Sequence, residues 1–400
     1  MSGLEPGSIP RGFTACGVKA GIKPSGSLDL ALLVSDRPCA AAGVYTTNLV
    51  YAAPVAWDRR LTPSTSVLGI VVNAGNANAA TGDEGLAHAR RTAQAAAKLL
   101  GGTSDDWLVA STGVIGQRLP IERLEAGLTD AVPHLTSELS GFDDASRAIM
   151  TTDTRPKVVS RRINIAGSEI RLLGLAKGAA MIGPKMATML GFLLTDARVE
   201  PEALQSILRG AVERSFNCIS VEGHMSTNDT VLLLANGTAG DVPLCGADLD
   251  AFAALVNDAC IELARMIPDD GEGATHLITI DVDGCRTFED ARAIARAVAD
   301  SALVKTAIHG ADPNWGRIVS AAGYAGVDYA PPGPALTLNG VELYRDGRPV
   351  PFNADAVARS IRERHETSIR LMFRDGSASV RFWTCDLTAE YVRLNADYTT

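Results

Sequence analysis

The sequence predicts a mixed α/β fold of layered sheets with flanking helices, in a chain of 400 residues long enough for one large domain or two to three ordinary ones. Three observations carry this expectation. Hydrophobic residues make up 46% and charged residues 21%, enough to bury a full core and too apolar for a disordered chain. The first eighty residues read as short strands, rich in small and β-branched residues and bounded by Gly, Pro and Asp. From about residue 200, helix-length segments alternate with short apolar runs.

Residues 27–35 and 40–46 are strand-like, and the continuous apolar run 68–73 reads as a buried strand. Residues 74–82 are small or amide-bearing and have no periodicity, which makes them a loop. Asp83 is placed to N-cap a helix reaching about Leu100. A short strand at 107–110 runs into a tight turn, Ser111-Thr-Gly-Val-Ile-Gly116. Helices are expected at 120–130 and 143–150, and strands at 157–166 and 170–176. The segment 177–190 starts as a Gly/Ala loop and leads into a buried apolar run, 189–194. Beyond it come helices at 200–215, 247–266, 287–301 and 353–364, and strands at 230–235, 276–283, 367–374 and 378–384. No repeat, low-complexity tract or long linker interrupts them, and Pro-rich 330–334 is a surface turn.

Composition narrows the function. A net charge of -9 supplies no basic footprint, so nucleic acid is not an expected partner. The seven cysteines (16, 39, 218, 245, 260, 285, 385) are odd in number, widely spaced and without C-x-x-C. That argues for reduced thiols, not a disulfide framework or a zinc cluster, and no metal is expected. Neither a signal-peptide pattern nor an apolar run of membrane-spanning length is present, so no membrane association and a cytosolic location are expected. The P-loop, dinucleotide and G-x-S-x-G patterns are all absent, and the six histidines form no H-E-x-x-H.

Five segments carry groups able to do chemistry. In Lys177-Gly-Ala-Ala-Met-Ile-Gly-Pro-Lys-Met-Ala-Thr-Met-Leu190, Thr188 opens the apolar run after a small residue, Ala187. A threonine hydroxyl needs a base, and cleavage of the preceding peptide bond would supply one, its own α-amine, with an ordinary pKa of about 7.7–8.0. An ordinary strand residue is the plainer reading. Ser111-Thr-Gly113 can present a hydroxyl and an unhindered backbone N–H to an oxyanion, or be a simple turn. Thr151-Thr-Asp153 can bind a ligand or cap a helix. Asp269-Asp-Gly-Glu-Gly-Ala-Thr275 can hold an ammonium group and lacks EF-hand spacing. Asp312-Pro-Asn-Trp-Gly-Arg317 reads as a packed turn.

Taken in order with Asn73-Ala-Gly-Asn-Ala-Asn-Ala-Ala-Thr-Gly82, Met225-Ser-Thr-Asn-Asp-Thr230, Val304-Lys-Thr-Ala307 and Tyr391-Val-Arg-Leu-Asn395, these segments resemble the ornithine acetyltransferase family, also called glutamate N-acetyltransferase. The resemblance spans nearly the whole chain. It implies an N-terminal-nucleophile-like, self-cleaving architecture, cut between Ala187 and Thr188 into chains 1–187 and 188–400, the latter with a mixed α/β part from about residue 280. Thr188 would be the nucleophile and Thr112 and Gly113 the oxyanion holders. Thr151, Lys177, Thr188, Glu272, Asn395 and Thr400 would bind the substrate. The implied reaction is ping-pong: acetyl passes from N-acetylornithine to Thr188, ornithine leaves, and glutamate departs as N-acetylglutamate. No cofactor is implied, although some members of that family also take acetyl-CoA as a co-substrate. An α2β2 heterotetramer of the two fragments is the implied assembly.

The chain differs from the family's usual pattern at Ala180, where Gly is common, and at Lys185, where Asn is common. It also has Ala74 and Ala80 where Ser and Cys are frequent. If position 180 needs positive φ, Ala180 would stiffen the loop. Three rival readings keep part of this picture: a dedicated N-acyltransferase or deacylase of a secondary pathway, a self-cleaving peptidase, and a non-catalytic amino-acid-binding protein.

Overall fold

A computed structural model describes residues 7–165, 167–183 and 189–397. Among them are two sheets. The first contains β1 (Phe13–Val18), β2 (Leu30–Tyr45), β3 (Ser64–Asn76), β4 (Trp107–Val114), β5 (Lys157–Ile165), β6 (Ser168–Lys177), β7 (Leu190–Thr195) and β8 (Thr230–Ala235). Its order is β4-β3-β2-β8-β7-β6-β5, with β1 paired to β2. The second contains β9 (Leu277–Cys285), β10 (Ala335–Leu338), β11 (Val341–Arg345), β12 (Arg348–Pro349), β13 (Glu366–Met372) and β14 (Ala378–Cys385), in the order β12-β11-β10-β13-β9-β14. Both sheets mix parallel and antiparallel pairs. This is the layered α/β class the sequence predicts.

The strands expected at 27–35 and 40–46 are one strand, β2. Its ladder with β3 breaks around Asp36-Arg37-Pro38, where proline has no N–H to give. Before the break β2 lies between β1 and the end of β3; after it, between β8 and the start of β3. The sheet folds on itself there, and its halves pack face to face. Leu33, Ile70, Val72 and Leu108 of one half share a core with Leu173, Phe192, Leu232 and Leu234 of the other.

Side chains alternate across the strands, so β8 serves two cores. Leu232 and Leu234 face the one just described, while Val231 and Leu233 turn to the opposite core, with Leu208, Phe252, Val256 and Leu263. Strands covered on both sides must be apolar throughout, which is why β7 (Leu-Gly-Phe-Leu-Leu-Thr) and β8 (Thr-Val-Leu-Leu-Leu-Ala) are buried at every position. Each large side chain so buried contributes about 1.5–3 kcal/mol. The helix Gly246–Asp269 packs on β5 and β6 and also on β14, joining the two sheets. Helices Ala53–Leu61, Gly82–Leu100 and Ile121–Ala131 cover the outer face of the β1–β4 half.

Several local expectations change. Ser111–Val114 is strand, not turn, because β4 continues in parallel register along β3 to Asn76. The helix after the Asn-rich segment begins at Gly82 behind Thr81, so Asp83 sits in its first turn and is not the cap. Asp312–Arg317 is a helix start: the Asn314 side chain accepts from Arg317 N at 3.2 Å and caps Trp315–Gly323. Strands β1 and β10–β12 and helices Ala53–Leu61, Ala302–His309 and Ala389–Asp397 were not expected from the sequence. Among the described residues no helix is long and apolar enough to cross a membrane.

Candidate active site

Folding the first sheet brings the carboxyl end of β4 against the carboxyl end of β6. One cleft at that rim is lined by Thr112 and Gly113 of β4, Thr151, Lys177 of β6, Glu272 and Asn395, along with Ala180 and residues 226–228. Six residues singled out from the sequence thus converge from five separate segments. Thr188, Ala187, Thr400 and Lys185 lie outside the described residues.

The β4 side of the cleft is shaped by backbone. Gly113 has φ +131°, and a Cβ there would lie 2.3 Å from the carbonyl carbon of Gly75, so only glycine fits. Amide side chains hold this edge. Asn73 Nδ2 donates to Asn76 O at 2.9 Å, and Ser111 Oγ donates to Asn73 Oδ1 at 2.6 Å. Asn228 Nδ2 donates to Ala77 O and Ser111 O at 2.7 and 2.8 Å, pinning β4 to the segment after β3. These amides replace backbone partners that the strand ends lack, which accounts for the run of asparagines. Asn78 and Ala80 both have positive φ, at 46° and 56°.

Lys177 is buried, and its Nζ donates to Thr112 Oγ1 at 2.8 Å and to Thr151 Oγ1 at 3.1 Å. Burial lowers its pKa, against the opposing pull of Asp153. An ammonium only donates, so each threonine hydroxyl accepts from it and keeps its own proton to give away. Thr112 can give its proton to an oxyanion, and Thr151 to a carboxylate.

Behind these residues lies a charge network. Asp153 accepts from Thr151 N at 3.1 Å, from Gly178 N at 2.6 Å and from Lys157 Nζ at 2.7 Å. Burial pushes the Asp153 carboxyl up, but the Lys157 and Lys177 charges outweigh it and hold it below the usual range. Lys157 Nζ also donates to Asp270 at 2.6 Å. Opposite Lys177, Glu272 accepts from Asn395 Nδ2 at 2.8 Å, and Glu272 N donates to Ala179 O at 3.0 Å. Ala180 does not take positive φ; its neighbour Met181 does, at 57°. The expected stiffening at Ala180 therefore has no backbone basis.

Past the undescribed segment, Met189 N donates to Asp229 Oδ1 at 3.1 Å and Met189 O accepts from Thr230 N. Burial raises the pKa of Asp229 well above the carboxylate range, and its second oxygen is buried with no partner among the described residues. The sequence assigns no individual role to Asp153, Lys157, Asp229 or Asp270. Their signal, buried charge, is set by residues far away along the chain.

The chain matches the ArgJ family model over residues 14–400. It is 47% identical over 397 residues to a protein of Symbiobacterium thermophilum named arginine biosynthesis bifunctional protein ArgJ, covering 98% of each chain. A protein of the same name from Thermus thermophilus is 47% identical over 394 residues, covering 98% of this chain and 99% of that one. Among solved structures, the arginine biosynthesis bifunctional protein of Bacillus halodurans is similar with a TM-score of 0.51 and 36% identity. That match covers 52% of this chain and 98% of the solved one.

Proposed function

The chain belongs to the ArgJ family, a bifunctional acetyltransferase family of arginine biosynthesis, and from its cleft we propose that it moves acetyl from N-acetyl-L-ornithine to L-glutamate through an ester on Thr188. Cleavage after Ala187 frees Thr188, whose α-amine takes the proton of its own hydroxyl as that oxygen attacks the acetyl carbon. The Thr112 hydroxyl and the Gly113 backbone hold the oxyanion. Ornithine leaves with the proton, the acetyl ester remains, and the glutamate amine then takes the acetyl group. No cofactor is needed for these steps.

The observation that carries this reading is Lys177, which joins the oxyanion hydroxyl of Thr112 to the Thr151 hydroxyl in one buried group. Lys177 and Thr151 suit the substrate's α-carboxylate; Glu272, with Asn395, suits its side-chain ammonium. The bond from Met189 N to Asp229 fixes the chain immediately after Thr188. Strands β7 and β8 lie between β2 and β6, so the two pieces left by the cut would interlock in one sheet. An α2β2 assembly and a cytosolic location complete the proposal.

Intact mass under denaturing conditions, beside Thr188→Ala, tests the nucleophile. Two fragments in the wild type and one chain in the variant are expected. An uncut wild type that exchanges no acetyl between N-acetylornithine and glutamate would overturn the reading.

A further inference from the structure

We propose that Lys157 is a specificity-positioning residue: its ammonium closes a ring that fixes the separation between the two ends of the substrate cleft and so selects the length of the diamino-acid chain. The inference rests on the proposed placement of the α-carboxylate at Lys177 and Thr151 and of the side-chain ammonium at Glu272.

Lys157 is fully buried, with Asp153 on one side at 2.7 Å and Asp270 on the other at 2.6 Å, both also shielded from solvent. None of the three lines the cleft. Each carboxylate instead holds the backbone of a segment that does. Asp153 accepts from Thr151 N and from Gly178 N, next to Lys177. Asp270 accepts from Thr154 N at 3.1 Å and from the Thr154 hydroxyl, and stands two residues before Glu272. The Glu272 N to Ala179 O bond completes the circuit. From Asp153 the ring passes through Gly178 and Ala179 to Glu272, back along the chain to Asp270, and through Lys157 to Asp153 again. Without Lys157 the two ends are tied only by the Glu272 N to Ala179 O bond and by the bonds of Thr154 to Asp270 and Arg155 to Asp269, and the two buried carboxylates lose the cation that holds them together.

Stability alone does not call for this arrangement. Well-packed apolar groups of similar volume serve a buried site as well as a buried ion triad or better, so such a triad is better suited to fixing one geometry than to adding stability. The ring lies behind the residues that would read both charged ends of the substrate. One methylene too many or too few between those ends is discriminated by roughly 10–200-fold in a well-defined site. A loosened ring lets the ends move apart or together, and that discrimination falls.

The test uses the mature enzyme with glutamate as acceptor and three donors: Nα-acetylornithine, Nα-acetyl-lysine and Nα-acetyl-2,4-diaminobutyrate. The readout is the ratio of kcat/KM between donors, which does not change with the fraction of enzyme that is folded. Lys157→Met opens the ring. Asp270→Leu removes the acceptor on the other side of Lys157 while leaving Lys157 paired with Asp153, and decides the matter if Lys157→Met does not fold. The expected result is a wild type that favours ornithine and a preference that falls about tenfold or more in either variant. An unchanged ratio beside a lowered melting temperature would make the triad structural only and overturn the inference while leaving the proposed reaction intact. A wild type without chain-length preference would overturn it as well. A wild type that uses no Nα-acetyl diamino acid would overturn the proposed reaction, and this inference with it.

Discussion

The two walls of the cleft are made of different material. The β4 wall is peptide backbone shaped by one obligatory glycine and held by neutral amides, among them Asn73, Asn76 and Asn228. The opposite wall is buried charge: Lys177, Asp153, Lys157 and Asp270, with Glu272 in front. A backbone wall is rigid and indifferent to pH, which suits a group that must face an oxyanion at fixed distance. A charged wall responds to pH and to the loss of any one partner, and suits the recognition of charged ends. Lys177 belongs to both, because its ammonium is hydrogen-bonded to the hydroxyl of Thr112 on the first wall and of Thr151 on the second.

The sharpest break is Gly113→Ala. A methyl group 2.3 Å from the Gly75 carbonyl carbon, on a residue at φ +131°, cannot be accommodated without moving β3 from β4. Acetyl exchange is expected to fall by at least about 100-fold, with circular dichroism separating a displaced site from an unfolded chain. Activity within about tenfold of the wild type would mean that the backbone wall tolerates displacement, and the contrast would fail.

The joint between the walls is the next place to press. Thr112→Ala is expected to cost about 10²–10³ in kcat, and Lys177→Met a comparable factor in kcat/KM. If Lys177 acts partly through Thr112, the double variant loses less than the product of the two single losses. Strictly multiplicative losses would show that the 2.8 Å bond between them does not matter to the reaction.

Asn228→Ala attacks the neutral wall without touching a charge. It removes the donor to both Ala77 O and Ser111 O. Leaving buried carbonyls unsatisfied costs about 1–3 kcal/mol, so a melting temperature lower by several degrees is expected, with little change in its pH dependence. A loss that varied strongly between about pH 6 and 9 would blur the distinction between the walls.

What could be read in advance divides along the same line. The backbone wall was legible, because glycine after a small hydroxylic residue and a run of asparagines are local patterns, even though Ser111–Val114 proved to be strand. The segments that carry Thr151, Lys177 and Glu272 stood out by their residue types, but the individual roles of these residues, and Asn395 altogether, were reached through resemblance. The supporting charges were not legible at all. Lys157 lies four residues from Asp153 but 113 from Asp270, and only the packing of Gly246–Asp269 across β5 and β6 brings them together. The same holds for short helices such as Ala302–His309, whose 8 residues are too few to set a period.

One more test lies in the carboxyl group of Glu222, which leaves the reaction untouched and changes stability alone. Glu222 accepts from Ile182 N at 2.6 Å, and its other oxygen is buried without a partner among the described residues. Burial raises its pKa from an ordinary 4.5 to about 8, against the pull of the Ile182 N–H and of Lys305. The folded chain therefore holds this proton more tightly than the unfolded chain does. The stability that follows is fully present below the ordinary value and is lost as pH rises through about 8. Glu222→Gln keeps an acceptor for Ile182 N and cannot ionise. Relative to the wild type its stability should rise between about pH 5 and pH 9, by on the order of a few kcal/mol at most, as read from urea midpoints at several pH values. A parallel offset at every pH would mean that Glu222 titrates alike in both states, and that its surroundings behave like the neutral wall.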